Sequence, residues 1–501
     1  MGEQRIRCAA LRERVTTAAE AARLITDGMR VGASGFTRAG DAKAVPLALA
    51  QLARESAAPP RITLITGASL GHDIDRALTD AGVLARRLPF QSDSTLRRAI
   101  NDGTVMFVDQ HLSETVEMLR AGLPGKLDVA IVEAVAITEN GGIVPTTSVG
   151  NSASFATLAD RVIVEVNRSQ PLALEGLHDI WIPGRRPHRG PLPIVTPRDR
   201  VGTTAIQIPP HKIAAIVMTD APDSPSTVLP ADEETARIAA HLIEFFTHER
   251  KLGRLPQGRL PPLQAGIGTI ANAVLSGFAA SPFEALTIYS EVLQDSTFDL
   301  FDAGKLDFAS GASITLSAAR QQQVLAELDR YRDRLVLRPQ EVSNHPEAIR
   351  RLGLIALNTA LECDLYGNVN STHVGGTHMM NGIGGSGDFA RNAAYAIFAT
   401  RSVAKDGRVS SIVPMVPHVD HNEHDVDVIV TEQGLADLRG LAPRERAPLI
   451  VGRCAHPAYR DVLKDYYRDA LKGGGQTPHA LGRAFAMHLR YAETGSMRPA
   501  G

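Results

Sequence analysis

Short apolar runs alternate with amphipathic stretches along most of this chain. In residues 11–28, Val15, Ala19, Ala22 and Ile25 fall close to one face and Asp27-Gly28 closes the run, which is a helix pattern. Residues 29–40 read as a short strand opening into a glycine-rich loop, and residues 42–53 as a helix. Residues 62–66 form a strand pattern ending in Gly67-Ala68-Ser69, and residues 104–108 and 129–132 read as strands of the buried type. Farther on, residues 232–249 predict a long amphipathic helix, residues 286–289 a β-prone run, residues 393–400 an apolar helix and residues 426–430 a strand. Strands alternating with helices predict βαβ units and mainly parallel sheets, hence an α/β fold.

A chain of 501 residues exceeds one ordinary domain of about 100–200 residues. A repeat supports a division in two. Glu139-Asn-Gly-Gly142-Ile-Val-Pro-Thr-Thr-Ser-Val-Gly150 resembles Asp364-Leu-Tyr-Gly367-Asn-Val-Asn-Ser-Thr-His-Val-Gly375 at a constant offset of 225 residues. Each copy is followed by an apolar strand ending near a glutamate, Val162-Ile-Val-Glu165 and Val428-Ile-Val-Thr-Glu432. Two matches in one order predict two domains of one fold; similar strand–turn chemistry without duplication is the alternative. The Pro/Ser-rich stretch Asp220-Ala-Pro-Asp-Ser-Pro-Ser-Thr-Val-Leu-Pro230 has little to bury, so the expected division is 1–221, a linker at 222–231, and 232–501. The proline-broken residues 181–191 read as a surface loop whose Arg185, Arg186 and Arg189 are either solvated or turned to phosphates. The tail after Gly473-Gly-Gly475 reads as dispensable for chemistry.

Composition changes this picture only by exclusion. With 53 basic against 55 acidic residues, the net charge of -2 gives no reason to expect a nucleic-acid partner. The three cysteines, Cys8, Cys363 and Cys454, are far apart and offer no disulfide framework, as expected of a reducing compartment. No apolar run nears the ~18 residues of a membrane span, and the first residues lack a signal-peptide core. A cytoplasmic protein without a membrane partner is expected.

Among candidate reactive groups, Glu291 stands out. The run Leu286-Thr-Ile-Tyr289 delivers it at a strand end, the usual place for reactive groups in α/β proteins, with Val292 and Leu293 behind it. A carboxylate with a reference pKa of about 4.3 is expected to be ionised at neutral pH and able to attack an activated acyl group without a helper base. A buried or paired structural glutamate is the alternative. Two glycine clusters, Gly266-Ile-Gly268-Thr-Ile-Ala271 and Asn381-Gly-Ile-Gly-Gly-Ser-Gly387, each precede a helix pattern and can offer backbone N–H groups to an anion. Both also fit G-x-G-x-x-G/A, with Glu291 spaced like a ribose-binding acid, so an NAD-dependent dehydrogenase is a competing reading. Against it, residues 260–264 and 377–381 make poor strands. The cluster His418-Val-Asp-His421-Asn-Glu-His424-Asp-Val-Asp427 has a metal-like composition but no established ligand spacing, so a hydrogen-bonded loop is expected and no metal. Lys405 is either a surface lysine or a phosphate partner. No nucleophile-elbow Gly-x-Ser-x-Gly with a supporting triad is present.

These residues together resemble the class I CoA-transferases of the acetyl-CoA hydrolase/transferase family. The resemblance runs over nearly the whole chain, through Ser34-Gly-Phe-Thr37, Val144-Pro-Thr-Thr-Ser-Val-Gly-Asn151, Leu174-Glu-Gly176 with His178-Asp-Ile180, residues 266–274, Ser290-Glu-Val-Leu-Gln-Asp295, Gly367-Asn-Val-Asn-Ser-Thr-His-Val-Gly375, and residues 379–392 and 416–444. It implies two similar α/β domains with mainly parallel sheets, the active site at their junction, and a homodimer. It implies coenzyme A as a substrate, with no tightly bound cofactor and no metal. Carried over by motif, Glu291 resembles the glutamate that forms a glutamyl-CoA thioester. Gly266, Ile267, Gly268, Thr269 and Ile270 would line the CoA site, with the backbone N–H groups of Ile267 and Gly385 as the oxyanion hole. Leu361, Asn381, Gly385 and Lys405 match further CoA contacts, and Ser69, Asn344 and Glu432 match supporting positions; His373 receives no role. The implied activity is ping-pong CoA transfer between small carboxylates, with succinyl-CoA and acetate as the pair. Alternatives are acyl-CoA hydrolysis by water, a propionyl-CoA and succinate pair, and a CoA-binding protein without catalysis.

Overall fold

The computed structural model describes residues 3–227 and 231–498. Two eight-stranded sheets carry the chain. The first contains β1 (Val15–Thr16), β2 (Arg30–Ala33), β3 (Ile62–Ile65), β4 (Leu84–Leu88), β5 (Met106–Phe107), β6 (Val129–Ala134), β7 (Arg161–Asn167) and β8 (Ile213–Thr219) in the order β1-β8-β7-β6-β2-β3-β4-β5. The second contains β9 (Leu263–Ala265), β10 (Leu286–Tyr289), β11 (Leu306–Gly311), β12 (Leu335–Leu337), β13 (Ile355–Thr359), β14 (Tyr395–Ala399), β15 (Val428–Thr431) and β16 (Gly434–Asp437) in the order β12-β11-β10-β9-β13-β14-β15-β16. In each sheet the first four of seven consecutive strands are laid outward one way and the next three the other way. The reversals fall between β2 and β6 and between β9 and β13. The two halves thus share one α/β topology. They differ at one edge: β1 enters parallel to β8 from the amino-terminal segment, whereas β16 folds back antiparallel on β15. Central strands such as β6 and β14 are buried throughout, as parallel strands covered on both faces must be.

The repeat at 139–150 and 364–375 lies between topologically equivalent strands, β6 and β7 in one half, β13 and β14 in the other. The second half of the expected match is corrected. Glu165 lies in β7, but Glu432 follows β15, which occupies the position of β8. Their surroundings differ accordingly. Glu165 accepts the N–H groups of Lys43, Ala44 and Val45 at 2.7–2.9 Å and so caps the helix Ala44–Arg54.

Other local expectations are overridden by tertiary pairing. Residues 11–28 are not one helix. Val15 and Thr16 pair with Ile216 and Val217, and Thr17 caps the short helix Ala18–Ala22 through a capping box with Glu20. Of residues 104–108 only Met106–Phe107 form a strand, at the outer edge with Met106 55% exposed, because no strand covers that side. Residues 395–399 form β14, not a helix; an apolar run buried on both faces has no periodicity to tell the two apart. Residues 263–265 form the central strand β9 despite Pro261 and Pro262, which sit just ahead of it where their missing N–H groups cost nothing.

The predicted linker is not idle where it is described. Asp223 is buried, bonded to Lys43 Nζ at 2.9 Å, to the Gly40 N–H at 3.1 Å and to the Thr147 hydroxyl, and Ser226 N–H donates to Leu316 O at 2.7 Å. The rest of the expected linker, residues 228–230, lies outside the described residues. The long helix is Glu233–Lys251, capped by Asp232, and its Phe246 packs on Phe278 and Tyr395.

Candidate active site

The carboxyl ends of both sheets' strands converge on one cleft of about 660 Å³. From the second half come Gly266 and Ile267 after β9, Glu291 and Val292 after β10, Thr359 at the end of β13, and residues 381–386 ahead of β14. From the first half come Phe36 and Thr37 after β2, Ala68 after β3, Phe90 after β4 and Leu112 after β5. Gly266 lies at the switch point between β9 and β13, where α/β sheets bind ligands.

Glu291 is fixed at both ends. Its carbonyl accepts the N–H groups of Ala312 at 2.7 Å and Ser313 at 3.0 Å, and its Oε1 accepts from Asn344 Nδ2 at 2.6 Å. Asn344 Nδ2 also donates to Asp388 Oδ2 at 3.0 Å, and Asp388 is held by the Ser113 N–H at 3.0 Å and hydroxyl at 2.6 Å. Gly385 must lack a side chain, because a Cβ there would overlap the Glu291 carboxylate and stand 2.5 Å from Asn344 Nδ2. Glu291 as a whole is 7% exposed and lines the cleft.

This burial changes the expected charge state. Loss of solvation raises the Glu291 pKa to about 8, the Asn344 N–H opposing the rise and the negative charge of Asp388 adding to it. The free protein therefore holds Glu291 largely protonated at neutral pH, contrary to the expectation from the reference value. For any reaction in which Glu291 attacks, kcat/KM for the donor should rise with pH and level off above about pH 8, since kcat/KM follows ionisation of the free enzyme. A profile flat from about pH 6 to about pH 9 contradicts this.

The first glycine turn is braced by Gln294, whose Oε1 accepts the Gly268 N–H at 3.2 Å and whose Nε2 donates to Gly266 O at 2.9 Å. Gly268 has φ +125° with open space at its absent Cβ. Ile267 stands 38% exposed over the cleft, and the helix Thr269–Gly277 leads away from it.

The second loop is gripped from the first half. Gln91 N–H donates to Asn381 O at 3.3 Å, Asn101 Nδ2 to Met379 O at 2.9 Å, and the Ile383 N–H donates to Asp109 Oδ1 at 2.8 Å.

The remaining sequence candidates fall in two groups. Ile270, Leu361 and Lys405 line a second, outer cleft of about 1280 Å³ with Arg401, His456 and Arg498. Lys405 Nζ is bonded to the Tyr491 hydroxyl, and Arg498 donates to Gly407 O at 2.8 Å. The tail read as dispensable therefore forms part of that cleft. Ser69 and Glu432 line neither cleft, and nor do Gly268 and Thr269, contrary to expectation. Ser69 is buried and its carbonyl accepts the Arg38 N–H, while Glu432 accepts from Ser402 N–H at 2.8 Å and from Gln433 Nε2 at 2.9 Å. Two of the loop arginines face carboxylates: Arg186 meets Glu114 and Glu117, and Arg189 meets Glu117 and His345, while Arg185 donates to Arg120 O at 2.5 Å. His373 stacks on His418 at 3.7 Å between ring centres. Among the described residues no three His, Cys, Asp or Glu side chains are grouped as a metal ion would require, and no helix is long and apolar enough to cross a membrane.

Sequence reasoning missed Thr37, Phe36, Phe90 and Leu112 as cleft walls, and Asp388 and Gln294 as braces. Thr37, Gln294 and Asp388 all lie inside stretches that carried the family resemblance, which was their signal; Phe90 and Leu112 had none.

The family models for the acetyl-CoA hydrolase/transferase N-terminal and C-terminal domains match residues 1–218 and 321–467. The chain belongs to the acetyl-CoA hydrolase/transferase family. Within that family, the succinyl-CoA:acetate CoA-transferase of Clostridium kluyveri is 50% identical over 99% of this chain and 92% of that protein. The propanoyl-CoA:succinate CoA transferase of Escherichia coli is 46% identical over 96% of this chain and 98% of its own, and an acetyl-CoA hydrolase of Schizosaccharomyces pombe is 44% identical over 97% and 98%. The fold is that of RipA from Yersinia pestis, with a TM-score of 0.70 at 24% identity over 92% of this chain and 98% of that one. A 4-hydroxybutyrate CoA-transferase from Porphyromonas gingivalis superposes with a TM-score of 0.63 at 22% identity, over 92% and 98%.

Proposed function

We propose that this family member transfers CoA between small carboxylates, with succinyl-CoA and acetate as its pair and Glu291 as the nucleophile. The observation that carries this is the Glu291 carboxylate at the cleft floor, against Gly385 and the Asn344 amide. Ionised Glu291 attacks the acyl-CoA carbonyl, and backbone N–H groups of Gly385 and Ile267 receive the oxyanion. Collapse expels CoA thiolate and leaves a mixed anhydride. The thiolate then attacks the glutamyl carbonyl, whose Oε1 becomes the next oxyanion; Asn344 Nδ2 is already 2.6 Å from that atom. Loss of the acyl carboxylate leaves the glutamyl-CoA thioester, and an incoming carboxylate reverses the steps.

The outer cleft suits the CoA tail. Lys405 and Arg498 supply cationic groups for phosphates there, Arg401 being paired with Asp232 and Glu234, and the tail's binding energy is available to the reacting centre. The inner wall of Phe36, Ala68, Phe90, Leu112 and Val292 is apolar, which suits a short acyl chain and keeps water from the thioester. That favours transfer over hydrolysis. The same reading carries the division at 222–231, supporting roles for Ser69 and Glu432, and a cytoplasmic homodimer.

Intact-mass measurement after mixing with acyl-CoA tests the proposal. The expected result is a CoA-sized adduct on Glu291 that disappears when acetate is added. An adduct on a cysteine, or free thiol released equally fast without acetate, overturns it.

A further inference from the structure

Asp388 has no place in the chemistry just described, yet it is the group nearest to Glu291 through a shared donor. It lies in the first turn of the short helix Ser386–Ala390, three residues after Gly385, and is buried. The Asn344 amide has two N–H bonds on one nitrogen. One goes to Glu291 Oε1 at 2.6 Å and the other to Asp388 Oδ2 at 3.0 Å, while Asn344 Oδ1 has no partner among the described residues. A primary amide turned by 180° about its last bond exchanges its oxygen and nitrogen at little cost in shape. The choice between the two orientations is set by what faces the amide. An ionised Asp388 can only accept and so demands the nitrogen; Glu291, largely protonated at rest, does not.

We propose that Asp388 is a positioning residue: it locks the Asn344 amide in the orientation that donates to Glu291, and Ser113 locks Asp388 from the other half of the chain. The proposal rests on Glu291 being the nucleophile. In the reversed orientation the amide oxygen would face Glu291 Oε1, where the second oxyanion forms, and would oppose both ionisation and attack. Asp388 resists that reversal because it accepts from Ser113 twice, through N–H and hydroxyl, and so has a fixed acceptor face toward Asn344. Ser113 follows Leu112, which walls the cleft, so one segment of the first half shapes the acyl pocket and sets the amide. The other titratable side chain facing Asp388 is His111, which packs against Gly387 and lies 3.5 Å from Arg391 Nη1. Among the described residues, no lysine, arginine or histidine lines the inner cleft around Glu291.

The test is a double-mutant cycle on kcat with Asp388→Leu and Asn344→Ala, measured across pH. Leucine at 388 keeps the bulk and removes the acceptor, so nothing on that side holds the Asn344 nitrogen; asparagine would not do so, because the Ser113 N–H and Asn344 Nδ2 meet the same Asp388 oxygen and would keep an amide oxygen there. Asp388→Leu alone should lower kcat about tenfold or more and move the ascending limb of kcat/KM to higher pH, since the lost N–H outweighs the lost negative charge. In the Asn344→Ala background the same substitution should cost less than about threefold, because the group it acts through is gone. Additive losses, or a limb that stays or moves to lower pH, overturn the proposal. If Asp388→Leu does not fold, Ser113→Ala, which removes one of the two bonds to Asp388, takes its place in the cycle with the same criteria. A wild-type protein with no CoA adduct on Glu291 would instead overturn the underlying reading.

Discussion

Glu291→Gln should give a protein that no longer transfers CoA yet resists unfolding better than its parent above about pH 8. Glutamine keeps the shape and can still accept from Asn344, but its amide is no nucleophile. In the proposed mechanism Glu291 forms the covalent intermediate, so its loss should lower kcat by about four orders of magnitude or more, with no CoA adduct in the mass spectrum. The stability gain follows from the same burial. The folded pKa of about 8 lies above the ordinary value of 4.5, so between the two the folded state holds a proton that the unfolded state releases. Stability of the parent therefore falls as pH rises through that window, and the whole loss is in place above about pH 8. The glutamine variant does not titrate and escapes it. Thermal unfolding of both proteins at about pH 5 and about pH 9 measures the gap, which should widen with pH. A gap that closes with rising pH, or activity within about tenfold of the parent, contradicts this.

Gly385→Ala should cost on the order of a hundredfold to a thousandfold in kcat with the fold intact. The added methyl would occupy the space of the Glu291 carboxylate and crowd Asn344 Nδ2. Either the carboxylate swings away from Asn344 or the loop at 381–387 retreats. Both separate the proposed nucleophile from the Gly385 N–H group proposed to receive the first oxyanion. Steady-state kinetics with a circular-dichroism check of folding decide it. A variant with near-parental kcat would show that neither group needs its present place.

Much of this was legible in the sequence because it was local. The alternation of strands and helices, the strand-end position of Glu291 and the glycine turns that flank it all follow from patterns a few residues long. What failed was set by distant pairing. The three residues of β9 behind two prolines carry no period, and Tyr395–Ala399 reads equally as helix or strand when both faces are buried. Glu165 and Glu432 look alike along the chain, but one lies in its strand and the other follows a strand in a different place in its sheet. The site shows the same division. Asn344 lies 53 residues from Glu291 and ends a four-residue helix, so only family resemblance pointed to it. The protonation of Glu291 was misjudged because a reference pKa describes a solvated side chain, and its solvation is removed by walls from the other half of the chain.

One of those walls rests on a slender support. The loop carrying Gly385 is tied to residues 91–113, and the strand inside that segment, β5, has two residues and an open outer side. Edges of this kind fray first on warming, well before the cores of either sheet give way. Activity should therefore be lost on warming before the cores of the sheets melt: a fringe of the architecture sets the working lifetime of the enzyme under heat.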